Sequence, residues 1–214
     1  MMRDIYLVRH GLPDFGNDSN TAYYLGGGTD VPLLASQIPE AARLREYFAD
    51  KNIENYYSSP LMRAYQTLEA FLPEGNSYQI IEEAREISYG EWEGKLKSEY
   101  FPLYQKSFLK ENAPEEAFPK GGESQDQAAR RFLKAVEKTQ GNCVLVAHGA
   151  VINLLVCLLE KTPYHHFLDG KNPYLGITKL VADDRGNYEV IFREYVYGGV
   201  TLPDSTYYLR GGKD

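Results

Sequence analysis

The sequence predicts an α/β fold: a three-layer sandwich with a mostly parallel central sheet, helices on both faces and a small cap insertion. Three observations carry that expectation. Short apolar runs rich in β-branched and aromatic residues alternate with helix patterns, two of those runs pass directly into histidine and glycine, and one long stretch breaks the alternation.

The expected strands are Ile5-Tyr6-Leu7-Val8, Ile53 to Ser58, and Cys143-Val144-Leu145-Val146, each ending in polar or glycine signals. Pro39 to Asp50 sets Ala42, Leu44, Tyr47 and Phe48 at helical spacing, and Pro60 to Leu72 does so with Leu61, Ala64, Tyr65, Leu68 and Phe71. Ser124 and Gln127 form a capping box for a helix to about Gln140. Ala150 to Lys161 is an apolar helix after the Cys143 strand. Gly176 to Ala182 and Tyr188 to Tyr195, joined across Asp183 to Asn187, predict a hairpin of antiparallel edge strands. The chain reads as one domain, residues 1–214, with a cap at about 91–122. There Lys95 to Lys110 is a helix carrying Tyr100, Tyr104 and Phe108 at i, i+4, i+8, followed by a loop with Pro114 and Pro119. That aromatic stripe fits packing on the sandwich and also fits a lid over a site.

Composition narrows the function classes. The 214 residues are 43% hydrophobic and 25% charged, enough apolar content for a core, and 30 acidic against 23 basic side chains leave −7 at pH 7. No whole-protein field draws in nucleic acid or an anionic membrane, so neither is an expected partner, and an anionic ligand needs a local basic pocket. Ala150 to Leu159 is too short to cross a bilayer and holds Asn153, and Arg3, Asp4 and Arg9 sit where a signal peptide needs an apolar core. The expected location is cytoplasmic. Cys143 and Cys157 lie among Val and Leu and read as buried thiols, which rules out a disulfide framework.

The chemistry gathers at strand ends. Ligands of an open parallel sheet bind where loops and helix N-termini converge beyond the strands' C-terminal edge. Arg9-His10-Gly11 and His148-Gly149 both belong there. Arg63, in the first turn of the helix after the second strand, belongs there too, and a cation at a helix N-terminus is disfavoured unless an anion lies between them. His165 and His166 are adjacent, and neighbouring side chains do not converge on a metal, so no metal and no cofactor is expected.

These residues resemble the histidine phosphatase superfamily, also called phosphoglycerate mutase-like, in its small bacterial phosphatase branch. Leu7-Val8-Arg9-His10-Gly11, Ser58 to Thr67, Glu86 to Gly94, Gly121-Gly122-Glu123-Ser124 and Val146-Ala147-His148-Gly149 fall in family order over residues 5 to about 160. The resemblance implies that His10 is the phosphoryl-accepting nucleophile. It implies that Arg9, Arg63 and His148 hold the phosphate oxygens beside Gly149, and that Glu86 is the proton donor to the leaving oxygen. Imidazole is substantially neutral at pH 7, so His10 has a lone pair to attack with, while arginine forks and a protonated His148 supply positive charge without a metal. Glu86 needs a raised pKa, from burial near Tyr89 and Trp92 or from the like charges of Glu82, Glu83 and Glu91; both sources stay open.

The sequence also departs from the family. Asn17 lies one position later than the usual asparagine, which puts its contact with phosphate in doubt, and Pro39 opens a helix near Gln37 where the family has glycine. No glycine-rich loop ending in lysine is present, and neither cysteine has an arginine six residues downstream. The expected function is phosphomonoester hydrolysis through a phosphohistidine on a small phosphorylated metabolite. The alternatives are phosphoglycerate mutase-type transfer, disfavoured by the short cap and tail, and a phosphate-binding module without turnover. α-Ribazole phosphate, sugar phosphates and broad specificity all remain open as substrates.

Overall fold

A computed structural model describes residues 2–14, 26–111, 118–167, 172–197 and 200–203. Asn17 and most of the proline-containing cap loop lie outside these residues. The strands are β1 (Arg3–Arg9), β2 (Asn55–Ser58), β3 (Gln79–Ile80), β4 (Cys143–Ala147), β5 (Gly176–Ala182), β6 (Tyr188–Tyr197) and β7 (Val200–Pro203). They form one mixed sheet in the order β3-β2-β4-β1-β5-β6-β7, in which the first four strands run parallel and the rest pair antiparallel. The expected hairpin is present, but it is not the edge. β5 pairs with β1 as well as β6, and β7 covers β6. Two strands were not predicted: β3 has two residues and β7 four, too few to show a reliable periodicity.

Alternate residues of each strand enter two cores. Ile5, Leu7, Tyr57 and Leu145 face α5 (Gln125–Glu137) and α6 (Gly149–Glu160). Tyr6, Val8, Tyr56, Val144 and Val146 face α1 (Ile38–Ala42), α2 (Leu44–Phe48) and α3 (Met62–Phe71). Strands covered on both sides need apolar residues at every position, which is why these segments read as continuous runs. The single helix expected over Pro39–Asp50 is instead two pieces. Arg43 N bonds Glu40 O (3.3 Å) and Glu46 N bonds Arg43 O (3.2 Å), three residues back rather than four, and this tightens the turn between them. α5 carries the expected capping box, with Gln127 N donating to Ser124 Oγ (3.2 Å) and Ser124 N to Gln127 Oε1 (2.8 Å). Cys143 and Cys157 are buried and form no disulfide, and no helix among the described residues is long and apolar enough to cross a membrane.

The segment after residue 90 leaves and rejoins the sandwich at one point. Gly90 has φ +50°, and a Cβ there would lie 2.3 Å from Lys120 O, so only glycine lets the two ends of the excursion meet. Its helix α4 (Lys97–Ser107) buries Tyr104 and, just past its end, Phe108. Their rings stack at 5.0 Å, and Tyr89, Trp92 and Phe118 surround Phe108 at 5.5, 6.2 and 5.0 Å. Tyr104 and Phe108 are therefore core, and the side chain of Tyr100 lies outside what the structure describes. Phe108→Ala empties the centre of this cluster and should cost about 3–5 kcal/mol in urea unfolding. An unchanged midpoint would show that the cap lies outside the cooperative unit.

Candidate active site

The register of the parallel strands brings the site together. Arg9 pairs with Ala147 and Ser58 with Val146, so His10, Ser59 and His148 all emerge at one level. His10 N and Ser59 N extend the ladders by donating to Ala147 O (3.0 Å) and Val146 O (2.9 Å). The two histidine rings sit 5.0 Å apart, nearly edge to face. All five residues singled out in the sequence converge here, and His10, Arg63, Glu86 and His148 are buried.

His10 Nδ1 lies 2.6 Å from Gly11 O. A carbonyl can only accept, so Nδ1 carries the proton and Nε2 holds a lone pair. Burial first, then the charges of Arg63 and Arg9, hold its pKa well below the ordinary imidazole value, so the ring is neutral at pH 7. Gly11 is itself fixed, donating to Thr67 Oγ1 (3.0 Å), which donates to Arg63 O (2.6 Å).

His148 departs from its expected state. It is fully buried, and burial, then Arg63, His10 and Arg9, push its pKa well below normal, so the free site holds it neutral rather than protonated. Nε2 is 2.7 Å from Ser59 Oγ, and Nδ1 has no hydrogen-bond partner among the described residues. One ring nitrogen is thus unspent in a dry site. Positive charge rests with the arginines. Arg63 donates to Thr29 O (2.8 Å) and Gly26 O (3.3 Å), leaving Nε buried without a partner among the described residues. Arg9 donates to Asn172 O and lies 4.0 Å over the Tyr174 ring. A Cβ on Gly149 would come within 2.9 Å of Arg9 Nε, so Gly149 contributes room for that guanidinium.

Glu86 Oε1 accepts from Ile87 N (2.9 Å) and Val151 N (3.1 Å), and Oε2 accepts from Ala150 N (3.1 Å) at the start of α6. Burial is the largest influence and raises its pKa against the pull of those amides and both arginines. The alternative source, like charge, is diverted elsewhere: Glu82 pairs with Arg85 (3.0 Å), Glu83 with Lys138 (2.5 Å), and Glu91 is exposed.

Sequence reasoning missed two walls of the site. Gly26-Gly27-Gly28-Thr29 lies flat against the Glu86 segment. Gly27 N donates to Ile87 O (3.0 Å), and a Cβ at Gly27 would come within 2.4 Å of Glu86 O. Three consecutive glycines were the available signal. The second wall, Asn172 to Leu175, carried none. Leu175 adopts φ +62°, and its N–H donates to Arg9 O (3.1 Å), which seats Tyr174 5.7 Å from the His10 ring. His165 and His166 form a short turn with no third ligand, and no group of three metal-ligating side chains occurs among the described residues.

Residues 5–193 match the histidine phosphatase superfamily (branch 1). The chain belongs to the histidine phosphatase superfamily. Phosphoserine phosphatase 1 of Hydrogenobacter thermophilus is 30% identical over 167 residues, 74% of this chain and 76% of that protein. A Bacillus subtilis protein named uncharacterized phosphatase PhoE is 28% identical over 195 residues, 88% and 89% of the two chains. Among solved structures, Bacillus stearothermophilus YhfR superposes with TM-score 0.72 at 25% identity, covering 88% of this chain and 95% of that one. The family match runs past the motif blocks to include β5 and the first part of β6. This histidine phosphatase is accordingly a metal-independent phosphatase.

Both buried histidines have folded-state pKa values below those of the unfolded chain, so unfolding takes up protons as pH falls through about 6.5. Their contribution to stability is full above that pH and is lost on acidification. Urea unfolding between pH 7 and 5 should show wild-type stability falling more steeply than that of a His10→Asn, His148→Asn double variant. The difference should be at most about 2.7 kcal/mol per pH unit, the value for two protons. Parallel profiles would mean that the histidines titrate normally when folded.

Proposed function

We propose that this histidine phosphatase hydrolyses alkyl phosphomonoesters through a phosphoryl group carried on His10 Nε2. The observation that carries the reading is the bond from Nδ1 to Gly11 O, which leaves the Nε2 lone pair near buried Arg63 and half-buried Arg9. Nε2 attacks phosphorus as the ester P–O bond breaks, and the departing oxygen takes the Glu86 proton. Water then attacks the phosphohistidine while the Glu86 carboxylate accepts its proton, the P–N bond breaks, and phosphate leaves with His10 neutral again. Arg9 and Arg63 hold the oxygens that carry charge through both steps, and the unspent nitrogen of His148 completes their coordination as a hydrogen-bond donor. An arriving phosphate dianion raises the proton affinity of Glu86 further, which favours the acid form needed in the first step.

The relative named phosphoserine phosphatase 1 supports a small substrate with a basic alkoxide leaving group and makes phosphoserine the first compound to assay. We assign the whole chain to one domain with 91–122 as its cap, and place it in the cytoplasm because its two buried cysteines, Cys143 and Cys157, form no disulfide. Brief incubation with a labelled phosphomonoester should leave acid-labile label on wild type and none on His10→Ala. Acid-stable label, or label on the variant, would exclude the nucleophile. Arg63→Ala should lower kcat/KM about a hundredfold, some 3 kcal/mol, as for other donors to developing charge. Glu86→Gln should slow phosphorylation of His10 by alkyl esters by about 10²-fold or more and spare aryl esters, whose phenolate departs without a proton. Rapid-quench rates that fall equally for both would remove Glu86 from the acid role.

A further inference from the structure

We propose that Arg131, on α5, is a positioning residue that sets Glu86 for proton transfer, acting together with Glu123 and resting on the reading of Glu86 as the acid. All five N–H donors of its guanidinium are used, and they converge on the span that carries Glu86. Nε and Nη2 grip the Glu123 carboxylate side-on, each at 2.7 Å. Nη1 donates to Glu83 O (2.7 Å) and Arg85 O (2.9 Å), and Nη2 donates to Glu86 O (3.2 Å). Glu123 completes the clamp from the far side. Its Oε2 accepts from Ser88 N and its own N–H donates to Ser88 O, both at 2.9 Å. The backbone is therefore pinned at residues 83, 85, 86 and 88, with Glu86 between the pins.

The span needs such a clamp because it has no regular structure of its own. It follows a single 3₁₀ turn, Glu82–Ala84, and reaches Gly90 without joining the sheet. A carboxylate on a strap outside the sheet keeps its place only as well as its backbone is fixed, and a displacement of about 1 Å at a reacting group can cost about 10²-fold in rate. Lysine cannot take this place: its three donors on one nitrogen cannot meet carbonyls and a carboxylate arranged around a planar fork.

The test is the rate of His10 phosphorylation in a single turnover of the full-length enzyme, with an alkyl and an activated aryl phosphomonoester. Arg131→Met should slow the alkyl ester at least about tenfold while changing the aryl ester less than about threefold, and Arg131→Lys should not restore it. Added to Glu86→Gln, Arg131→Met should cost less than about twofold more, since a residue acting through Glu86 has nothing left to position. Thermal melts accompany each variant, and if Arg131→Met does not fold, Glu123→Gln, which keeps the backbone bond to Ser88 O, takes its place in the same cycle. Equal slowing of both esters, or losses that multiply in the double variant, would reduce Arg131 to a general structural brace. Glu86→Gln alone decides the underlying reading. If it shows no split between the esters, both ideas fall together, whereas a split there without one in Arg131→Met overturns the positioning role only.

Discussion

The pairing of β1 with β4 in parallel, Arg9 level with Ala147, is the constraint on which the rest of the site depends. It makes two segments 138 residues apart in the chain end at one height, so that each can hand a histidine to the same point. A one-residue slip would turn every side chain of the strand to the opposite face and separate the two rings. Side-chain size and shape oppose that slip, because it would exchange Tyr6 and Val8, fitted to one core, with Ile5 and Leu7, fitted to the other. The geometry of the candidate site is thus a by-product of core packing.

Burial then determines the chemistry of what the register assembles. The same exclusion of water keeps His10 and His148 neutral and raises the proton affinity of Glu86, while the guanidinium groups, whose proton affinity is very high, remain charged. Two fixed cations and an unprotonated nitrogen thus lie together in the buried candidate site. Backbone carbonyls take up part of each arginine's donor capacity, Thr29 and Gly26 for Arg63 and Asn172 for Arg9.

Around this centre the chain departs from regular structure wherever it must approach closely. The glycine strap lies against the Glu86 segment at a distance no side chain permits, and Leu175 accepts a left-handed conformation so that Tyr174 can cover Arg9. The cap is anchored differently, by a cluster of aromatic rings continuous with the core. The wall beside His10 is therefore made of backbone and one phenol ring, and the cap contributes a hydrophobic foundation.

What the sequence by itself determined is what local patterns encode. Apolar runs and helical spacing marked the central strands and the helices α3, α5 and α6, and the position of Arg9, His10, Arg63 and His148 just past strand ends marked the site, because strand termini are where a parallel sheet binds ligands. The order of motif blocks brought in Glu86, which no periodicity would have singled out. Only the tertiary structure decided the protonation state of His148, since that depends on how much water the folded chain excludes. The break of the first helix at Arg43, the two-residue strand β3 and the pairing of β5 with β1 rather than at the edge were likewise settled by contacts between distant segments. Tyr174 and Arg131 are ordinary residues in the sequence. Their places beside Arg9 and Glu86 exist because folding brings together segments separated by 165 and 45 positions, and no spacing rule reaches that far.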